Sequence, residues 1–439
     1  MTDATLTTGA ATQAKAGRRD IGLKARYAAE RRFRAYGLAA IIVGLSFLFI
    51  LLASIVSQGY TAFWQTSILL DVTFDEEIVD PEGTRDTGSM AMLTANYPLL
   101  AQRALYDALD IDPDNREATR AADGLVSQGV RTQLRDMVTA DPDIIGTTQS
   151  VWVLAHGDID SAQKGQFDLT VEESRRRVSD LQLEYMQQLE QAGALEGRFN
   201  TGLFTFGASS RPETAGMGVA IIGSFWMMLI VLVLALPIGV AASIYLEEFA
   251  PKNRLTDLIE VNINNLAAVP SIVYGLLGLA VFINFTGLPR SAAIVGGLVL
   301  TLMTLPTIII ATRAALKAVP PSIRDAALGV GASRMQTVFH HVLPLAAPGI
   351  LTGTIIGLAT ALGETAPLLL IGMVAFVADY PSTPLDPSTA LPVQIYMWSG
   401  QAERAFVERT SGAIIILLMF LAVMNITAII LRRRFERRW

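Results

Sequence analysis

Residues 36–57 and 216–245 contain no charged side chain. A helix needs ~20 consecutive apolar residues to cross a bilayer, and both stretches reach that length. Four more apolar segments, 258–285, 292–311, 348–377 and 412–431, complete a set of six predicted spans. With 51% hydrophobic residues and a mean hydropathy of +0.43, the chain is too apolar for an ordinary soluble domain. Pro237, Pro270 and Pro306 fall inside these segments. Membrane helices tolerate such prolines when neighbours satisfy the freed carbonyls, and they mark helices that bend. The expected fold is therefore all-α and integral to the membrane.

Charge is segregated along the chain. Residues 1–58 carry 8 basic and 3 acidic side chains, residues 59–215 carry 12 and 26, and residues 216–439 carry 14 and 11. Basic flanks mark the cytoplasmic side, so residues 1–35 read as a basic, disordered or interfacial tail inside the cell. Residues 36–57 then read as an uncleaved anchor. The run exceeds the ~7–15 residues of a signal-peptide core, and Ile55-Val56-Ser57-Gln58 is a poor cleavage match. Six spans place both termini inside, in agreement with the basic tail at 432–439 and with Arg313, Lys317, Arg324 and Arg334 in the 313–345 loop. The expected location is the bacterial inner membrane, in contact with lipid.

Residues 58–212 lack any membrane-length run and are predicted to form an acidic periplasmic domain, mostly α or α/β, between the first and second spans. Expected elements are a helix near 97–108, a strand over 150–155, and a helix that starts at Thr170 and runs to Gly193. The cluster Asp75-Glu76-Glu77, Asp80 and Glu82 lacks the spaced pattern of a calcium loop and reads as solvated. The net charge of this domain should repel an anionic solute, which predicts that it is a docking or regulatory unit and not an anion-binding site. Cysteine is absent and only three histidines are present, so no cofactor or metal centre is expected.

Between two apolar runs lies a polar segment, Pro320 to Pro344, with the signature of two short helices on the membrane surface. Ser322 is a candidate N-cap, and Ser333 with Gln336 forms a capping-box pattern. Gly329 and Gly331 permit the turn between them, and Pro344 is expected to end the second helix. This segment resembles the "EAA" loop of ABC-importer permeases: Asp325-Ala326-Ala327, then Gly331, then His341-Val342-Leu343-Pro344, with Asp in place of Glu and His in place of Ile. The resemblance implies that the loop docks into a groove of an ATPase subunit and transmits its motion.

Asn264-Asn265-Leu-Ala-Ala-Val-Pro-Ser-Ile-Val-Tyr-Gly275 and Gly363-Glu-Thr-Ala-Pro-Leu-Leu369 are similar to signatures of permeases of Pst-type high-affinity phosphate importers, the second to the A subunit of the pair. Pro237-Ile-Gly and Ile244-Tyr-Leu-Glu-Glu fit the same family, so that the likeness covers residues 211–431. It implies a MetI-like permease core, a second permease subunit, ATPase subunits that bind ATP and Mg, and a periplasmic phosphate-binding protein. Nucleic acid is not an expected partner. The chain has no GxxxxGK[ST] loop, so ATP hydrolysis is expected on a partner and the chain is not expected to be an enzyme. Two alternatives are a permease for another oxyanion, such as molybdate or phosphonate, and a membrane receptor that senses through the periplasmic domain.

Glu364 is the acid that stands out within the spans, and an intramembrane charge is a functional candidate by default. It could accept the P–OH hydrogen of a protonated phosphate, or pair with Arg313 or a partner's arginine as a structural or gating lock. Arg290 and Arg313 lie at opposite ends of the fourth span, where an arginine can attract an anion or snorkel to headgroups. Asn262, Asn264, Asn265 and Ser271 could line a polar path or make interhelical hydrogen bonds.

Overall fold

The computed structural model describes residues 22–374 and 376–435. The chain divides into two units at Ser54/Ile55. The first contains most of helix α1, Leu23–Gly59. No proline interrupts this sequence, so the helix extends on both sides of the charge-free run and includes residues expected to be disordered. Residues 1–21 of the predicted tail lie outside the described residues, as do residues 436–439 of the C-terminal one.

The second unit begins with a mixed domain. Strand β1, Trp64–Thr73, is central, with β2, Thr148–Leu154, and β3, Leu195–Phe199, antiparallel on its two sides. Its alternation places Ile68, Leu70 and Val72 on a buried face. Helices α2, Tyr97–Leu109, α3, Val130–Ala140, α4, Gly157–Gln163, and α5, Asp180–Gln191, contribute to the core with Tyr97, Leu105, Leu134, Ile159 and Leu189. The helix expected from Thr170 starts ten residues later, at Asp180, because Ser179 and Gln182 form the true capping box. Residues 173–175 make only a 3₁₀ turn. Asp75 caps a short helix, and buried Asp80 accepts a hydrogen bond from the Arg85 amide at 2.6 Å, so part of the acidic cluster is structural.

The membrane bundle comprises α6, Gly218–Ile244, α7, Arg254–Ala267, α8, Ser271–Gly278, α9, Ala293–Lys317, α10, Pro321–Gly329, α11, Leu343–Gly363, α12, Leu391–Ser399, and α13, Ala405–Phe435. Among the described residues five helices are long and apolar enough to cross a membrane, and a sixth crossing is reached if a pair bent by 100° counts as one. That pair is α7 and α8, with Pro270 between them, so segment 258–285 is not one continuous helix. The Tyr274 hydroxyl donates to the Leu266 carbonyl at 2.8 Å and clips the two arms together. The fifth predicted span also differs: the helix stops at Gly363 and residues 366–370 form a separate turn of helix.

Helices α6 and α9 run in the same direction. At their starts, Gly223 abuts the Thr389 carbonyl and the Ile294 amide donates to Pro384. At their ends, Glu247, just beyond α6, lies 3.5 Å from both Arg313 and Lys317 of α9. The bent pair packs along α9, with Gly278 of α8 against Val299. It begins where Glu260 accepts from Arg313, and the loop after it reaches the start of α9, where Ser291 accepts from the Ser388 amide at 2.8 Å. Helix α11 runs back beside α9 along small residues. A Cβ on Gly349 would sit 2.6 Å from Ala315, one on Gly353 2.2 Å from Ala311, and one on Gly357 3.4 Å from Ile308. Small residues at this spacing allow close approach where no hydrophobic force separates helix from lipid.

The mixed domain is joined to the start of α13 by buried charge. Lys164 Nζ bridges Asp160 at 2.7 Å and Glu408 at 2.8 Å, with 10%, 6% and 5% of the three side chains exposed. Gln166 also donates to Glu408, and Arg409 donates to Gln65. The Thr66 amide donates to Asp160 at 2.8 Å. Ser127 donates to buried Glu213 at 2.8 Å. Charges buried this deeply are costly unless paired.

Candidate functional site

The polar hairpin is built much as its turn residues require, with two differences. Helix α10 is started by Pro320 and Pro321, and Ser322 makes no cap; fixed proline φ already suits the first helical turn. At the turn Gly331 has φ +94°, a region that penalises any Cβ. The Ser333 box is formed: its hydroxyl accepts from the Gln336 amide at 3.2 Å and Gln336 Oε1 accepts from the Ser333 amide at 2.9 Å. Pro344 does not end the second helix. A π-helical stretch, residues 337–342, leads into α11, and Pro344 sits in its first turn, where a missing N–H does no harm.

Arg324 ties the hairpin to the bundle. Its guanidinium reaches Glu248 at 2.7 and 3.2 Å, and donates to the carbonyls of Leu316 and Val319 at 2.9 and 2.8 Å. One planar fork thus joins the ends of α6 and α9 to α10. Within the hairpin Ala327 is buried, whereas Asp325, Ala326, Gly331 and His341 are exposed and Leu343 and Pro344 are half-buried. The apolar residues Val330, Met335, Leu328 and Phe339 are also exposed, at 87%, 59%, 45% and 44%. Sequence reading missed these four because it followed the motif letters. The signal was available: large apolar side chains in a segment too polar to be a span.

The intramembrane candidates are distributed over two backbone breaks. Glu364 ends α11, is half-buried, and makes no ion pair among the described residues. Arg313 does not pair with it; its guanidinium is held by Glu260 and Glu247 at the hairpin end of the bundle. Arg290 is exposed at the other end. Asn264 and Asn265 are exposed on α7, and Ser271 is half-buried at the start of α8. Asn262 donates to the Leu258 carbonyl at 2.7 Å, a local bond within its own helix. Gly275 of α8 packs against Pro367, with room for no side chain between them, so the segment after the Pro270 break rests on the segment after Glu364. Discontinuous helices expose backbone groups and lone polar side chains where a solute can meet them.

Residues 235–439 match the family described as the binding-protein-dependent transport system inner membrane component. Residues 20–173 match a domain of unknown function, DUF3333. The probable ABC transporter permease protein YqgI of Bacillus subtilis is 38% identical over 35% of this chain and 53% of its own, so the chain spans about half the length of this relative. The phosphate transport system permease protein PstA 1 of Mycobacterium tuberculosis is 32% identical over 50% of this chain and 72% of its own. Among solved structures, the inward-facing MetNI methionine ABC transporter aligns with 50% of this chain and 98% of its own, at 19% identity and a TM-score of 0.42.

Proposed function

This chain belongs to the family of binding-protein-dependent transport system inner membrane components, and from that premise we propose that it is the permease subunit of an ATP-driven importer of inorganic phosphate. A periplasmic binding protein delivers the anion, a second permease completes the pathway, and ATPase subunits that bind ATP and Mg drive the cycle. The bent pair counts as one crossing, which gives six spans, both termini in the cytoplasm and residues 58–212 in the periplasm.

The observation that carries the coupling role is the hairpin itself. It is fixed to two span ends through Arg324 and presents an exposed apolar tip of Leu328, Val330 and Met335. A push on that tip reaches α6, α9 and α11 through hydrogen bonds and packing, not through a flexible linker. The substrate assignment is supported by the phosphate permease named among the relatives and by the segments around 264–275 and 363–369. Glu364, free of ion pairs among the described residues, suits a role as acceptor for the P–OH of protonated phosphate, a donor that sulfate lacks.

The test is ATP-dependent uptake of radiolabelled phosphate in vesicles containing the chain with its neighbouring permease and ATPase, supplied with loaded binding protein. Val330→Asp and Met335→Asp should abolish uptake and ATPase stimulation while the chain remains folded, since both side chains are exposed. Ala327 is buried and therefore a poorer probe. Uptake that persists in both variants would refute the docking role. Transport of molybdate or phosphonate in place of phosphate would refute the substrate assignment alone. Glu364→Gln should admit sulfate if the carboxylate reads P–OH, whereas uniform loss across anions would assign it to structure.

A further inference from the structure

The mixed domain holds a cleft of about 370 Å³ that the transport role does not use. Its walls include Arg175, Arg176 and Arg177, consecutive in the segment before α5, and Arg404, immediately before α13. Arginine is the side chain best suited to tetrahedral oxyanions, because its planar fork donates two parallel hydrogen bonds and its charge is permanent. Four such groups around one cavity require a reason, since like charges repel.

The acids nearby do not neutralise them all. Arg176 donates to Asp180, and Arg177 reaches Asp158 only at 3.4 Å. Asp168, on the cleft wall, is held as the carboxylate by the Thr170 hydroxyl at 2.6 Å and amide at 3.0 Å and sets one negative charge against the four arginines. Arg175 and Arg404 are exposed and have no carboxylate partner among the described residues. The Arg176 side chain is 8% exposed, and its Nε–H is buried with no acceptor. That atom is closed to solvent and hence to a ligand, so the donors an oxyanion in the cleft can meet are the exposed Arg175 and Arg404 side chains.

We propose that this cleft binds a phosphate group at the junction between the mixed domain and the last membrane helix. The group is either free phosphate or a phospholipid headgroup, because Arg404 brings the cleft to the start of a span. This departs from the expectation drawn from the domain's net charge. Beyond about 8 Å charges are screened at physiological salt, so the domain's remote acids count little; beside the cleft Arg176 and Arg177 are paired with Asp180 and Asp158, and Arg175 and Arg404 carry the unpaired positive charge. The site is independent of the solute that the bundle carries.

The experiment uses the full chain in nanodiscs of zwitterionic lipid, titrated with radiolabelled orthophosphate. Wild type is compared with Arg175→Gln/Arg404→Gln, with Arg176→Lys, and with Arg103→Gln as a control on the same domain. The double variant alters exposed residues, and its melting temperature confirms that it is folded. Saturable binding that weakens by about tenfold or more in the double variant, weakens in Arg176→Lys and is unchanged in the control supports a free-anion site. In a second arm the same proteins are purified from membranes containing phosphatidylglycerol, and retained lipid is measured by native mass spectrometry. Retention by wild type and loss in the double variant, without orthophosphate binding, supports the headgroup. Neither signal, or equal signals in wild type and variants, overturns the proposal. Failure of phosphate uptake leaves this readout untouched, since the arginines lie outside the bundle.

Discussion

Replacing Lys164 by methionine keeps the aliphatic stem and removes the ammonium that holds Asp160 and Glu408 together. Both acids are more than nine-tenths buried, at 2.7 and 2.8 Å from Nζ. At an effective dielectric of about 20, each contact is worth about 6 kcal/mol of Coulomb energy. Part of that is offset because the ammonium no longer has to be desolvated. Breaking a buried pair by removing one partner costs about 3–5 kcal/mol, so we expect a loss of that size and a fall of roughly 10 °C in melting temperature. Fluorimetric melting of the full chain in detergent at pH 7 measures this. A gap below about 1 kcal/mol would refute the argument that this junction is held by paired buried charge.

Gly353→Ala should destabilise the bundle by about 1–3 kcal/mol, because its Cβ would lie 2.2 Å from that of Ala311. Adding Ala311→Gly should recover most of the loss in a detergent-denaturation series. Arg324→Gln should leave Glu248 and two helix-end carbonyls without their donor, at about 1–3 kcal/mol. ATP hydrolysis should separate from phosphate uptake, and Arg324→Lys should restore little because it cannot span the same fork. Burial and the hydrogen bond from its hydroxyl to Asp123 push the Tyr106 phenol above its ordinary range. A raised folded-state value means that its stabilisation is complete below pH ~10 and is lost as pH rises further. Tyr106→Phe should therefore flatten the alkaline limb of the domain's melting curve.

Sequence alone determined the membrane class and much of the hairpin. Charge-free length identifies a span wherever it occurs, and the Ser333–Gln336 box and the left-handed Gly331 depend on residues a few positions apart. The helix at 97–109 and strand at 148–154 were legible for the same reason. Segment 258–285 shows where local reading stops. Pro270 signalled a break, but the 100° angle is set by the Tyr274 clip and by Gly275 against Pro367, neither of which periodicity reveals. Of the partners open to Glu364 in the sequence, Arg313 is taken up elsewhere, because folding brings Glu260 and Glu247 to it. Likewise, net charge described the mixed domain on average, and only the fold placed Arg404 beside residues 175–177. Hydrophobic length and turn chemistry act over a few residues and can be read in one dimension. Buried charge pairs, helix breaks and binding clefts join segments far apart in the chain, so only the tertiary structure decides them.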